Sequence, residues 1–246
     1  MKSFTLYIFI LFCPYFAQAQ TQDTLESQNK GSIKPFILPA AFIGYGLVSL
    51  TNNNPLRRLD LRVTNGIKQN APSFFTRADD YLRYAPAAAL YALHLGGIKG
   101  KNSLADATGI YLLTTAISGT LVISSKHISQ RTRPDGSDDH SFPSGHSTTA
   151  FASAEFLYQE YKDLSPWYGY AGYTVATTTA VLRLYNKKHW LSDVIAGAGF
   201  GILSTKASYL LYPKIKQVFG GKKDSHYSLV PLYQQRTFGF AYTTNL

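Results

Sequence analysis

Five stretches of this chain run without a charged side chain: Phe36 to Leu50, Tyr84 to Ile98, Ala107 to Ser125, Leu164 to Leu182 and Val194 to Thr205. A sixth, Ser147 to Tyr161, is interrupted only by Glu155 and Glu160. Their length and their Ala, Gly, Leu and Tyr content read as six helices that bury most of their surface against one another. Breakers stand between them: Asn52-Asn53-Asn54-Pro55, Gly96-Gly97, Gly100, Asp135-Gly136 and Ser165-Pro166. Asp79-Asp80-Tyr81 reads as a start signal ahead of the second helix. Gly197, Gly199 and Gly201, with Ala196 and Ala198, give the last helix a smooth face suited to close packing. The expected fold is all-α, a six-helix bundle over residues 36–213.

The two ends differ in character. Lys2, the apolar run Phe4 to Phe16 and the small-residue stop Ala17-Gln18-Ala19 form a cleaved signal peptide over residues 1–19, followed by a linker over 20–35. An apolar anchor that is never cleaved is the alternative. The single cysteine, Cys13, leaves with the signal, so disulfides have no place in the mature chain. The tail, 214–246, alternates apolar and polar residues from Tyr227 to Tyr233 and from Thr237 to Tyr242, the pattern of two short strands.

A formal charge of +10 favours anionic partners. Nucleic acid is disfavoured, because the basic residues are scattered and no nucleic-acid motif appears. The stretch Asn52 to Arg83, with Arg57, Arg58, Arg62, Lys68, Arg77 and Arg83, reads as a solvated amphipathic connection or as a surface that grips anionic lipid headgroups.

Three segments carry chemistry: Lys126-(six residues)-Arg133-Pro134, Pro143-Ser144-Gly145-His146, and Arg183-(five residues)-His189-(three residues)-Asp193. A phosphate ester in transfer spreads negative charge over its equatorial oxygens, which fixed donors must meet. Lys126, Arg133 and Arg183 are the cations available, the arginines as planar forks and the lysine as a movable point charge. Ser144 reads as the N-cap of a helix and Gly145 as a place where backbone approaches a ligand, so the positive helix end faces the anion. His189 and Asp193, four apart in a stretch without a breaker, share one helix face. Asp193 then accepts from one ring N–H and leaves the other nitrogen of His189 as a nucleophile. No cluster of carboxylates or cysteines shows metal-ligand spacing. Singly these residues have plain structural readings, Lys126 and Arg131 as a basic helix end, Asp193 as a first-turn acid and His146 as a core histidine. Their joint spacing favours the site.

The three segments together resemble the signature of the type-2 phosphatidic acid phosphatase and vanadium haloperoxidase superfamily, over roughly Asp79 to Pro213. The resemblance implies that His189 is transiently phosphorylated, that Asp193 orients it, that His146 protonates the leaving oxygen, and that hydrolysis needs no metal or other cofactor. Two features depart from the family pattern: Leu182 stands where a serine usually precedes the third-segment arginine, and only eight residues, Asp135 to Phe142, join the first two segments. That connection is too short for a lid.

The expected activity is a metal-independent phosphatase acting on a lipid phosphomonoester or pyrophosphate: phosphatidate-like, polyprenyl pyrophosphate or lipid A phosphate. A soluble periplasmic acid phosphatase, a vanadium-dependent haloperoxidase and an inert scaffold are the alternatives. Spanning a bilayer takes about 20 apolar residues, and only the third and fifth segments in chain order, Ala107 to Ser125 and Leu164 to Leu182, each with 19 uncharged residues, approach that length. With the first segment too short to span, the site is expected on the periplasmic side. The oligomeric state is not legible.

Overall fold

Eight helices form among the described residues of the computed structural model, which are 33–51, 54–219, 227–234 and 237–244. They are α1 (Lys34–Leu50), α2 (Pro55–Asn70), α3 (Ala78–Leu82), α4 (Ala85–Leu95), α5 (Leu104–Ser129), α6 (Gly145–Tyr161), α7 (Trp167–Tyr185) and α8 (Leu191–Phe219). The expected signal peptide and residues 20–32 lie outside the described residues. All six expected helices are present. The other two, α2 and α3, occupy the stretch expected to be a connection, so the six-helix expectation is corrected to eight.

Local chemistry explains the additions and the shifted ends. Asn54 caps α2, its side chain accepting the Arg57 N–H at 2.8 Å, and Pro55 follows where a missing N–H costs nothing. Asp60 and Thr64 face inward from α2 while Arg58, Arg62 and Lys68 stay exposed. Ser103 caps α5 by accepting the Asp106 N–H at 3.1 Å, and the helix stops where Gln130 turns left-handed at φ 42°.

Most of α6 is buried, because it packs against both α7 and α8. Ala150, Phe151 and Ala154 meet Ala176, Ala180, Leu184, Val194, Ala198 and Ile202 there. A second cluster, including Leu90, Ile110, Phe156 and Tyr161, joins α4 and α5 to the other end of α6. The two acids that interrupt the apolar run of α6 are buried and satisfied. Glu155 pairs with Lys206 at 2.9 Å and bonds Tyr173, while Glu160 accepts from Asn102 and, at 2.6 Å, from Tyr209.

That pairing also explains why α8 outruns expectation. Lys206, the apparent end of the apolar run, has its charge met inside the bundle, so the helix continues through Pro213 to Phe219 and crosses the boundary expected at 213. Leu104–Ser129 and Leu191–Val218 are the described helices long and apolar enough to cross a membrane, with α1 and α2 a bent pair that passes the same test jointly. The expectation for the fifth segment is thereby corrected: α7, diluted by Thr, Tyr and Gly, does not qualify, and α8 takes its place.

The glycines of α8 serve two faces rather than one. A Cβ at Gly201 would lie 2.3 Å from the Thr148 carbonyl and one at Gly197 2.7 Å from the Ser144 carbonyl, both on the α6 side. A Cβ at Gly199 would meet the Pro39 carbonyl of α1 at 2.6 Å. The tail forms an antiparallel hairpin, β1 (Tyr227–Gln234) and β2 (Thr237–Thr244), in register from Tyr227 opposite Thr244 to Gln234 opposite Thr237.

Close approach to α6 makes Gly201→Ala destabilising, by roughly 1–3 kcal/mol of overpacking. Gly119→Ala, on α5 with nothing within 4 Å of the added carbon, should gain up to about 1 kcal/mol of helix propensity. Thermal unfolding in detergent should show opposite shifts in Tm.

Candidate active site

The chemistry-bearing segments converge because four helix ends meet: the C-termini of α5 and α7 and the N-termini of α6 and α8. Lys126 lies in the last turn of α5, Arg183 in the last turn of α7, Ser144 to His146 at the start of α6, and Asp193 in the first turn of α8. His189 sits in the connection between α7 and α8. The Ser144 N–H donates to the Asp193 carbonyl at 3.0 Å and ties the two N-termini together.

His189 is 2% exposed. Its Nδ1–H donates to the Ser141 carbonyl at 2.7 Å, which leaves Nε2 as the lone-pair nitrogen, 3.3 Å from an Arg133 guanidinium nitrogen. Burial pushes its pKa down to about 4, helped by Arg183 and Arg133 and opposed by the charge of Asp193. The ring is therefore neutral over most of the pH range.

Asp193 does not hold His189 as the four-residue spacing predicts. His189 precedes α8, and the nearest carboxylate oxygen lies 3.8 Å from Nδ1, beyond hydrogen-bond reach. The physical reason is a capping arrangement: Asp193 Oδ2 accepts the Trp190 N–H at 2.8 Å, closing the first turn of α8. The same oxygen accepts from Ser141 Oγ at 2.5 Å. Asp193 thus positions Ser141 through its hydroxyl, and Ser141 fixes His189 through its carbonyl.

Arg131 completes this arrangement and was read from sequence only as part of a basic helix end. Its side chain is 5% exposed and donates to Asp193 at 2.6 Å, to Ser192 Oγ at 2.8 Å and to Asp60 at 2.6 Å. Asp60, fully buried on α2, also accepts the N–H and hydroxyl of Ser192 at 2.9 and 2.6 Å. Asp60 is the lone acid of α2, whose sequence is otherwise basic, apolar or neutral. That isolation was the available signal.

His146 and Arg183 have partners on α3. His146 Nε2 lies 2.7 Å from Asp80 Oδ1, and Arg183 pairs with buried Asp79 at 2.6 Å. Asn186 braces this corner, reaching Asp79 at 3.2 Å and exchanging bonds with the Thr76 backbone. The pKa of His146 is lowered by burial and by Arg183, with the Asp80 bond acting against both. Ligand atoms of Asp79, Asp80 and His146 lie within 4.8 Å of one another, a grouping of carboxylates that sequence spacing did not reveal. Asp79 is committed to Arg183 and Asp80 to His146, so these atoms already serve ion pairs.

The remaining predicted residues are also in place. Lys126 donates to the His140 carbonyl, and Arg133 pairs with Asp138 at 2.7 Å while reaching the Lys188 carbonyl at 3.1 Å. Buried Ser144 caps α6, accepting from Ser147 N–H at 3.4 Å and from its hydroxyl at 3.0 Å. A Cβ on Gly145 would meet only Val122, at 3.7 Å, so protein packing leaves that approach to α6 open. The arrangement offers a buried neutral imidazole, a second imidazole held by a carboxylate, and cations from three elements around them.

Comparison with known proteins agrees with this geometry. The family model for the PAP2 superfamily matches residues 107–217, which contain all three motifs. A lipid A 1-phosphatase of Porphyromonas gingivalis is 40% identical over 145 residues, 56% of this chain and 32% of that protein. One from Rhizobium etli is 32% identical over 127 residues, 45% of this chain and 53% of that protein. The chain thus spans about a third to a half of the length of these curated relatives. A transmembrane PAP2-type phosphatidylglycerolphosphate phosphatase from Bacillus subtilis shares the fold, with a TM-score of 0.51 at 21% identity over 73% of this chain and 98% of that one. Residues 107–217, with the three motifs and the helix ends that unite them, thus match the PAP2 superfamily.

Proposed function

We propose that the protein is a membrane phosphatase that removes phosphate from a lipid through a phosphohistidine. One observation carries the reading: His189 is neutral, its Nδ1–H is spent on the Ser141 carbonyl, and its unprotonated Nε2 meets no partner but a long Arg133 N–H at 3.3 Å among the described residues. Nε2 attacks phosphorus, a P–N bond forms as the ester P–O bond breaks, and His146 gives its proton to the leaving oxygen. Water then attacks phosphorus, His146 takes the proton, and phosphate leaves as the P–N bond breaks. Lys126, Arg133 and Arg183, with the N-terminus of α6 at Ser144 and Gly145, meet the charge on the equatorial oxygens. The three cations supply this neutralisation without a metal ion. The three bond to His140, Asp138 and Asp79, so phosphate competes with acceptors already held in place.

Among lipid phosphates, the two curated relatives favour a lipid A phosphate over phosphatidate-like lipids and polyprenyl pyrophosphate. Exposed apolar side chains on the candidate spans, among them Leu112, Ile123, Leu210 and Val218, support a membrane setting. The proposed order of the chain is a cleaved signal peptide, a linker, the helical phosphatase domain and the tail, with the site facing the periplasm. A panel of purified lipid phosphates, assayed with chelator present, tests the activity. Phosphate release should persist, and a requirement for magnesium would contradict the mechanism.

The free enzyme needs His189 neutral and His146 protonated. His189 loses its proton as pH rises through about 4, and His146 titrates below its ordinary 6.5. The acid limb of kcat/KM should therefore follow His189 at about 4 and the alkaline limb should follow His146, at a pH below that of a free imidazole. Asp80 holds the proton on His146, so Asp80→Asn should move the alkaline limb to lower pH and leave the acid limb in place. Placement has its own test: the protein should stay with membranes through high salt, and an impermeant thiol reagent outside the inner membrane should label Ser137→Cys. Release by salt alone would point to a soluble phosphomonoesterase.

A further inference from the structure

We propose that a pocket beside Arg133, floored by Trp190 and edged by Arg57, binds a second anionic group carried by the same substrate molecule. The inference rests on the lipid phosphatase reading and names the class of lipid: one with a second phosphate or carboxylate besides the group removed.

The pocket holds about 560 Å³ and is lined by Leu50, Arg57, Arg131, Arg133, Asp135 and Trp190 among others. Its charges are unequally matched. Arg131 is neutralised by Asp60 and Asp193, Arg133 pairs with Asp138, and Asp135 is met by Lys188 at 2.6 Å. Arg57 has no carboxylate within ion-pair distance among the described residues. Its guanidinium stands over the Trp190 ring, 4.9 Å from the centroid. With no described carboxylate paired to it, this half-buried guanidinium can take an anion carried by the substrate. Arg131 Nε, buried and without a hydrogen-bond partner, belongs to a second residue of the same lining.

Trp190 fixes where this anion sits relative to the reaction. Its indole N–H donates to the Thr132 carbonyl at 2.8 Å, and it directly follows His189. Arg133 borders both places, lining the pocket while one of its nitrogens lies 3.3 Å from His189 Nε2. A molecule whose scissile phosphate meets His189 can therefore extend past Arg133 towards Arg57. Because Arg133 is shared, a second charge on the same molecule suits the pocket better than an independent ion.

The test compares two lipids of one backbone, a monophosphonate and a bisphosphonate, whose P–C bonds resist hydrolysis. Binding to the purified full-length chain is read by Trp190 emission in a Trp167→Phe background, since Trp167 is 74% exposed. The bisphosphonate should bind about tenfold tighter, the order of one charge-assisted hydrogen bond. Arg57→Gln should abolish that margin and Arg57→Lys should keep most of it. Equal affinity for the two lipids, or an equal loss for both in Arg57→Gln, would overturn the proposal. So would tight binding of the monophosphonate restored by free inorganic phosphate, because the pocket would then take a separate anion. Phosphate release from the corresponding phosphate lipids is measured in parallel. Its absence would refute the phosphatase reading, while the binding margin would still decide the pocket.

Discussion

One guanidinium holds the site together. Arg131 lies between two fully buried carboxylates, Asp60 of α2 and Asp193 of α8, at 2.6 Å from each. Removing one partner of such a buried pair typically costs about 3–5 kcal/mol, because a charge is left without water or counter-ion. Here the loss of Arg131 would leave two such charges. Asp193 would then lose its counter-charge beside the Trp190 N–H and the Ser141 hydroxyl, and the carbonyl that orients His189 would lose its anchor. The chain from Asp60 to His189 runs through side chains that are each 7% exposed or less. Rigidity at the nucleophile follows from that burial.

The same network explains how the fold brings distant sequence together. α2 is amphipathic and mostly basic, and alone it would have little reason to dock on the bundle. Asp60 gives it one, since its carboxylate takes three donors from Ser192 and Arg131. Close glycine contacts draw α8 against α6 and α1, and the tie from Ser144 to Asp193 sets the two N-termini side by side. Positive helix ends and four arginines thus surround a small polar region at the end of an otherwise apolar bundle.

Much of this was legible because the family spacings are local. Lys126, Arg133, Ser144, His146, Arg183, His189 and Asp193 all meet at one end of the bundle, and the five uncharged runs and the run interrupted by two glutamates are six helices. What escaped were contacts spanning many residues between elements. Asp80 reaches His146 across 66 positions, Asp79 reaches Arg183 across 104, and Asp60 reaches Arg131 across 71. No period or motif reports such pairs. The direct hydrogen bond expected between Asp193 and His189 is absent for a different reason: spacing of four suggests a shared helix face, but His189 precedes the helix, and an acid at its third position caps the Trp190 N–H. The last uncharged run stops at Thr205 while α8 continues, because the charge of Lys206 that follows is matched internally by Glu155.

The central claim is that His189 forms the bond to phosphorus and His146 supplies the proton. It is tested most directly by trapping the covalent state. His146→Ala, mixed with phosphate-labelled lipid in the presence of chelator and then denatured in alkali, should retain label that is stable to base, labile to acid and located by peptide mapping at His189. Label on another residue, or none in that variant while it still turns over, would contradict the account.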